Sequence, residues 1–125
     1  MIRPPGFAGV AFGTAAEGDA RTDPAARAGF IAAGAPIEWA YVSQVHGERV
    51  VEATRPGLLG DGDALFTTTP GLAITVATAD CVPIGIEGRG FAAVVHAGWR
   101  GIAAGVVGAT LAALRRRRLV PERAA

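Results

Sequence analysis

Short apolar segments separated by stretches that contain Gly, Pro or Asp follow one another along the middle of this chain, and this pattern restricts it to folds built on a sheet. Alternating or continuous apolar residues over such short stretches are typical of strands. The predicted strands cover residues 38–45, 48–53, 64–68, 71–78, 82–87 and 91–96. With 125 residues in all, the chain has the size of a single domain with one core.

Helical patterns flank the strand-rich region on both sides. Thr22 or Asp23 can cap a helix over residues 24–33, and Pro24 suits its first position. A longer helix is predicted over residues 101–116. The side chains expected on its packed face are Ile102, Val106, Ala109, Ala113 and Leu114. The remaining assignments are a short strand over residues 6–14, a loop over 56–61 and a hairpin turn over 88–90.

The chain contains two histidines and one cysteine, and each of them ends or follows a predicted strand and has Gly or Pro within the next two residues. These residues are His46, Cys81 and His96. Imidazole and thiolate are preferred zinc ligands, and three protein ligands with one open position are typical of catalytic zinc. Because the three are far apart in sequence, they would have to converge through the fold. The alternative is that each is ordinary, a structural histidine or a small buried thiol.

Two charged residues beside these motifs are candidates for catalysis. Arg100 lies where the long helix begins, and a helix start together with a guanidinium can bind an anion. Asp80 could orient a ligand imidazole or act as a general base. The alternatives are a solvated arginine and an aspartate that bonds its own turn. The segment from Gly60 to Asp63 could be only a turn, and its composition favours that interpretation.

Composition excludes several classes of function. The chain has no lysine, which rules out Schiff-base catalysis and a Walker-type phosphate loop. Ser43 is its only serine and lies in no Gly-x-Ser-x-Gly elbow. The net charge of +1 favours neither nucleic acid nor a membrane surface as partner. A lone cysteine and the lack of a signal or membrane-spanning segment lead us to expect a cytoplasmic protein.

Four motifs together resemble one known family. They are, in order, Gln44-Val45-His46-Gly47, Asp61-Gly62-Asp63-Ala64, Thr78-Ala79-Asp80-Cys81 and His96-Ala97-Gly98-Trp99-Arg100-Gly101. They are similar to the multicopper polyphenol oxidase (laccase domain) family, whose members are now largely viewed as zinc-dependent purine nucleoside phosphorylases. The resemblance implies an α/β sandwich with mixed sheets and a zinc ion held by His46, Cys81 and His96.

The same resemblance implies a chemistry. Its substrates would be phosphate and a purine nucleoside, namely adenosine, inosine, guanosine or methylthioadenosine, with adenosine deamination as a further activity. A true multicopper oxidase needs about ten histidine ligands, and this chain has two histidines. We therefore expect Zn²⁺, at one ion per chain.

Two alternatives to a zinc enzyme remain open. The chain could be a metal-free cysteine hydrolase or deamidase, with Cys81 as nucleophile and His96 or His46 as base. It could also be an inactive fragment of the family. The family domain is about twice as long, within the usual range of domain sizes, so residues 1–125 are expected to form a single, partial domain. A truncated sandwich would expose apolar sheet, favouring marginal stability and self-association.

Overall fold

The computed structural model describes residues 1–125 and contains three helices and two sheets. The elements are α1 (Pro24–Ala32), β1 (Glu38–Ser43), β2 (Val50–Glu52), β3 (Gly57–Asp61), β4 (Ala64–Thr67), β5 (Leu72–Ile74), β6 (Val82–Gly88), β7 (Phe91–Ala97), α2 (Trp99–Ala104), α3 (Val106–Arg116) and β8 (Arg123–Ala124). One sheet has the order β3-β1-β5 and the other β2-β4-β7-β6-β8. Both parallel and antiparallel pairs occur, so the predicted α/β fold with mixed sheets is confirmed.

The two sheets pack against each other through β4, whose four residues are all buried. Leu65 points toward the three-stranded sheet and packs with Val42 of β1. Its neighbours Ala64 and Phe66 belong to the cluster that includes Leu114 of α3. Because successive side chains of a strand point to opposite faces, β4 is covered by a sheet on one side and a helix on the other.

Helix α1 covers the outer face of the three-stranded sheet. Its Phe30 ring meets the Trp39 ring of β1 edge-on, at 5.7 Å between centroids. Asp23 caps the helix by accepting the N–H of Ala25, and Pro24 occupies its first position. The predicted helix is therefore confirmed, and the residues that predicted its start, Asp23 and Pro24, have the expected roles in the structure.

The single helix predicted over 101–116 is wrong, because the chain forms two helices that meet at Gly105. Gly105 has φ +91°, a left-handed conformation that glycine adopts at low cost. It ends α2 and begins α3. The break also moves Ile102 off the packed face, and its side chain is exposed, whereas Val106 is fully buried as expected.

Two other assignments fail for reasons that lie outside the local sequence. The predicted loop at 56–61 is largely strand β3, which pairs in parallel with β1. The predicted strand at 6–14 is absent apart from one bridge between Ile2 and Phe12. In this segment the buried carboxylate of Glu87 accepts backbone N–H bonds from residues 8 and 9, so a side chain replaces the partner strand. No helix is both long and apolar enough to cross a bilayer.

Candidate metal centre

His46, Cys81 and His96 come together at one end of the five-stranded sheet. Their nitrogen and sulfur donor atoms all lie within 4.8 Å of one another. The two imidazole rings stand edge-on, with centroids 4.9 Å apart and planes 73° apart. His46 is exposed, Cys81 is half-buried and His96 is buried, so the cluster reaches from solvent into the core.

Strand pairing explains why Cys81 and His96 meet. In the antiparallel β6–β7 ladder Pro83 lies opposite His96, and Val82 lies opposite Ala97. The first residues of β6 therefore stand beside the last residues of β7, and Cys81 directly precedes β6. The 15 positions that separate Cys81 from His96 in sequence are spanned by this hairpin.

Asp63 joins the His96 strand to the His46 loop. It has no exposed surface, and its carboxylate lies 2.7 Å from Nδ1 of His96. The same carboxylate accepts the backbone N–H groups of Val45, His46 and Gly47 at 2.9–3.2 Å. Four hydrogen bonds thus fix two of the three cluster residues through one side chain.

The charge state of Asp63 determines the tautomer of His96. Burial raises the pKa of the Asp63 carboxyl, but hydrogen bonds from His96 and from the N–H groups of residues 45–47 outweigh it, so that this pKa lies below its ordinary value. An ionised carboxylate only accepts hydrogen bonds, so Nδ1 of His96 carries the proton. The lone pair of Nε2 is left free to bind a metal.

Two residues in the turns around the cluster have constrained backbone positions, one by its conformation and the other by a close approach to cluster side chains. His46 has φ +60°, a left-handed conformation that is uncommon outside glycine and that the Asp63 hydrogen bonds hold in place. Gly98 follows His96 by two residues, and a Cβ there would lie 2.9 Å from Sγ of Cys81 and 3.3 Å from Cδ2 of His46. A side chain at 98 would therefore displace the thiol of Cys81 from its place in the cluster.

Gln44 connects the His46 loop to the segment that carries Cys81. Its amide nitrogen donates to the carbonyl of Ala77 at 2.6 Å, and its amide oxygen accepts the Ala77 N–H at 2.9 Å. The same oxygen accepts a bond from a terminal nitrogen of Arg21 at 3.1 Å. This side chain therefore ties together three segments that surround the cluster.

The cluster opens into a cleft of about 340 Å³. This volume is at the lower end of the range for small-molecule sites. The residues that line the cleft are Arg21, Gln44, His46, Ala77, Ala79, Asp80, Cys81 and His96.

Of the two predicted catalytic residues, Asp80 lines the cleft and Arg100 does not. Asp80 is exposed and lines the cleft, but the carboxylate on His96 belongs to Asp63 and not to Asp80. The guanidinium of Arg100 lies over the ring of Trp99, 5.2 Å from its centroid. Arg100 is exposed and does not line the cleft.

Sequence reasoning missed the positions of Asp63, Gln44 and Arg21 around the cluster. The interpretation of the Gly60–Asp63 segment as a turn only is incorrect, since Asp63 is buried against the cluster. The signal that could have found Asp63 and Gln44 was their presence in the motifs that carry the family resemblance. Arg21 had no such signal, because it lies in a polar turn outside those motifs.

The donor set is suited to a transition metal. Two imidazoles and one thiol at this separation match the ligand types of zinc. The hydrogen bond from His96 to a carboxylate is the outer contact that metal-binding histidines usually make. Because His46 is exposed, a fourth position can face the cleft.

The fold and the cluster define a mixed α/β sandwich protein with a candidate His–Cys–His metal centre. Residues 5–124 match the family described as multi-copper polyphenol oxidoreductase laccase. The chain belongs to this family. The recognition based on the four motifs is therefore confirmed.

Part of the chain is similar in sequence to relatives that are named purine nucleoside phosphorylases. The chain is 44% identical over 66 residues to a purine nucleoside phosphorylase of Deinococcus radiodurans, a match that covers 51% of this chain and 26% of the relative. It is 40% identical over 85 residues to purine nucleoside phosphorylase YfiH of Shigella flexneri, covering 66% of this chain and 35% of the relative. The chain thus spans about a quarter to a third of these relatives.

Solved structures show the same partial correspondence. YlmD from Geobacillus stearothermophilus superposes with a TM-score of 0.59 at 29% identity, covering 65% of this chain and 34% of YlmD. The Neisseria meningitidis protein NMB0706 superposes with a TM-score of 0.60 at 35% identity, covering 73% of this chain and 38% of that protein.

Proposed function

We propose that this chain contributes the metal centre of a zinc-dependent purine nucleoside phosphorylase. The observation that carries the proposal is the convergence of His46, Cys81 and His96 within 4.8 Å on an open cleft. The names of the relatives, purine nucleoside phosphorylases in both bacteria compared above, supply the reaction class. Adenosine deamination at the same cleft is part of the proposal.

In phosphorolysis an oxygen of phosphate forms a bond to C1′ of the ribose while the bond from C1′ to the purine nitrogen breaks. The electron pair of that bond leaves with the purine, which takes up a proton, and ribose 1-phosphate is the other product. A bound zinc ion would supply positive charge that stabilises the anionic reactant, phosphate. His46, Cys81 and His96 would hold this ion, with Asp63 fixing the ring of His96.

Asp80 and Arg100 are the proposed catalytic residues of this chain. Asp80 stands exposed on the cleft wall, where a carboxylate can relay a proton to the departing purine. Arg100 lies in the first turn of α2, outside the cleft lining, and would act at longer range by attracting the anion with its charge.

The test is a metal analysis and an activity assay on the same purified protein. We expect about one zinc per chain and formation of ribose 1-phosphate from adenosine only when phosphate is present. Cys81→Ala should lose both, whereas Asp61→Asn, which changes an exposed carboxylate at the end of β3, should lose neither. Zinc-loaded, folded protein without turnover would indicate that this third of the family domain is an inactive fragment.

A metal-free cysteine hydrolase is the second candidate, and one specific contact favours it. Asp63 is hydrogen-bonded to His96 at 2.7 Å, and Sγ of Cys81 lies within 4.8 Å of the donor nitrogen of His96. Nucleophile, base and orienting carboxylate follow one another in this order in a catalytic triad. Alkylation of Cys81 distinguishes the two candidates. A thiol that reacts only after chelation supports the zinc enzyme, and a reactive thiol in metal-free, active protein supports the hydrolase.

A further inference from the structure

We infer that Arg21 is the phosphate-binding residue of this cleft. The inference rests on the proposed function, because it assigns a binding residue to phosphate, the anionic substrate of that reaction. It concerns a side chain from the turn before α1, a segment remote in sequence from the His–Cys–His cluster.

Arg21 is the only lysine or arginine among the residues that line the cleft. The other ionisable side chains there are Asp80 and the three cluster residues. A divalent ion held by the cluster would add positive charge to the cleft. Among the side chains of the lining, however, only the guanidinium of Arg21 is always positively charged and able to donate hydrogen bonds to phosphate.

The guanidinium of Arg21 is held in a fixed orientation. Its Nε and one terminal nitrogen donate to the carboxylate of Asp19 at 2.8–3.2 Å. The other terminal nitrogen donates to the amide oxygen of Gln44 at 3.1 Å. Arg27 holds the backbone of the same turn by donating to the carbonyls of Ala20 and Arg21.

These bonds leave part of the guanidinium free. Arginine has five N–H donors, and the contacts to Asp19 and Gln44 use one on Nε and one on each terminal nitrogen. One N–H on each terminal nitrogen therefore has no protein acceptor. Both free N–H groups lie in the plane of the guanidinium and can donate to phosphate oxygens, and the side chain keeps 27% of its surface exposed.

Arg100 differs on each of these points. It does not line the cleft, makes no hydrogen bond to another side chain, and stacks over the adjacent Trp99 ring. A preorganised guanidinium loses less conformational entropy on binding than a free one. The geometry thus assigns the bound phosphate to Arg21 and leaves to Arg100 only the attraction of the anion on its way in.

The decisive experiment titrates inorganic phosphate into the zinc-loaded chain by calorimetry, comparing the native protein with Arg21→Lys. Lysine keeps the charge but lacks the planar guanidinium, so we expect the phosphate Kd to rise about tenfold, with zinc content unchanged. Arg89→Ala, in the exposed turn between β6 and β7, is the matched control and should bind like the native chain. An unchanged Kd in Arg21→Lys, or a loss of binding in Arg100→Ala alone, would overturn the inference.

A second measurement needs no variant. Phenylglyoxal modifies accessible arginines, and peptide mass spectrometry reports each position separately. Phosphate should protect Arg21 of the native chain and leave Arg89 unprotected; equal modification with and without phosphate would contradict the inference.

The inference and the proposed function fail in different ways. Phosphate binding that depends on Arg21, without any cleavage of nucleosides, supports the inference and removes the proposed reaction. If the native chain and Arg21→Lys both catalyse phosphorolysis with the same phosphate KM, the proposed reaction is supported and the assignment of phosphate to Arg21 is contradicted.

Discussion

The buried carboxylate of Asp63 lies 2.7 Å from Nδ1 of His96 and also accepts three backbone N–H groups from the loop that carries His46. One side chain thereby sets the tautomer of one cluster residue and the backbone of another. The geometry of the candidate metal centre therefore depends on a residue that is not itself a member of the His–Cys–His cluster.

Asp63→Asn should weaken zinc binding by about 10- to 100-fold, the usual cost of losing an outer partner of a ligand histidine. The amide keeps the shape of the side chain but presents an N–H₂ group where the protein supplies only donors. Zinc affinity measured by competition with a chelator tests this expectation. Asp61→Asn, an exposed carboxylate two residues away, is the control, and equal affinities in the two variants would contradict the role assigned to Asp63.

Gly98→Ala should disturb the cluster without straining the backbone. Gly98 has φ −80°, which alanine adopts readily, but the added Cβ would stand 2.9 Å from Sγ of Cys81. We expect zinc affinity to fall about tenfold or more, because the thiol must move out of position. Gly108→Ala is the matched control, since nothing lies within 4 Å of a Cβ there, and in the interior of α3 it should add about 0.5–1 kcal/mol of stability.

Zinc should raise the free energy of unfolding of the native chain. At a free zinc concentration 100 times the Kd, binding to the folded state alone adds about 2.7 kcal/mol. Urea unfolding with and without zinc measures the difference. The increase should disappear in Cys81→Ala; an equal increase in that variant would mean that zinc binds elsewhere.

Gln44→Glu should destabilise the connection between the His46 loop and the Cys81 segment. A carboxylate keeps the acceptor for the Ala77 N–H but places an oxygen against the Ala77 carbonyl, where the native amide donates at 2.6 Å. We expect a loss of about 1–3 kcal/mol, the cost of unpaired polar groups in a partly buried site. Thermal unfolding measures it, and a variant as stable as the native chain would show that this contact is dispensable.

Asp80→Asn should change phosphate binding and turnover in opposite directions, with tighter binding and a lower kcat. Removal of a negative charge from the cleft wall should tighten phosphate binding about threefold, as expected for charges several ångströms apart near a surface. The same variant should lower kcat if Asp80 relays the proton. Initial rates over a range of phosphate concentrations give both quantities, and a lower kcat/KM for phosphate caused by KM alone would contradict this role.

Local signals predicted the parts of the fold that depend on neighbouring residues. Asp23 and Pro24 are sufficient to start α1, and the apolar runs of β6 and β7 with the turn at 88–90 are sufficient for their hairpin. Strand β3 could not be predicted in this way, because Gly57 and Gly60 resemble loop residues and the strand exists through its pairing with β1.

The same distinction applies to the candidate site. His46, Cys81 and His96 could be singled out because their residue types are rare in this chain and chemically specific. Asp63 resembled an ordinary turn aspartate, since its partners at 45–47 and 96 lie far from it in sequence. Arg21 was missed for the same reason: its bond to Gln44 crosses 23 positions of chain.

The pairing of β6 with β7 links the proposed metal binding to correct assembly of the sheet. Pro83 stands opposite His96, and a slip of one residue would turn His96 to the other face of β7, away from Cys81. Chains with a misaligned hairpin could therefore be compact and rich in strand, yet unable to hold zinc. Zinc stoichiometry reports the fraction of molecules that have reached the native register, a quantity that circular dichroism would not resolve.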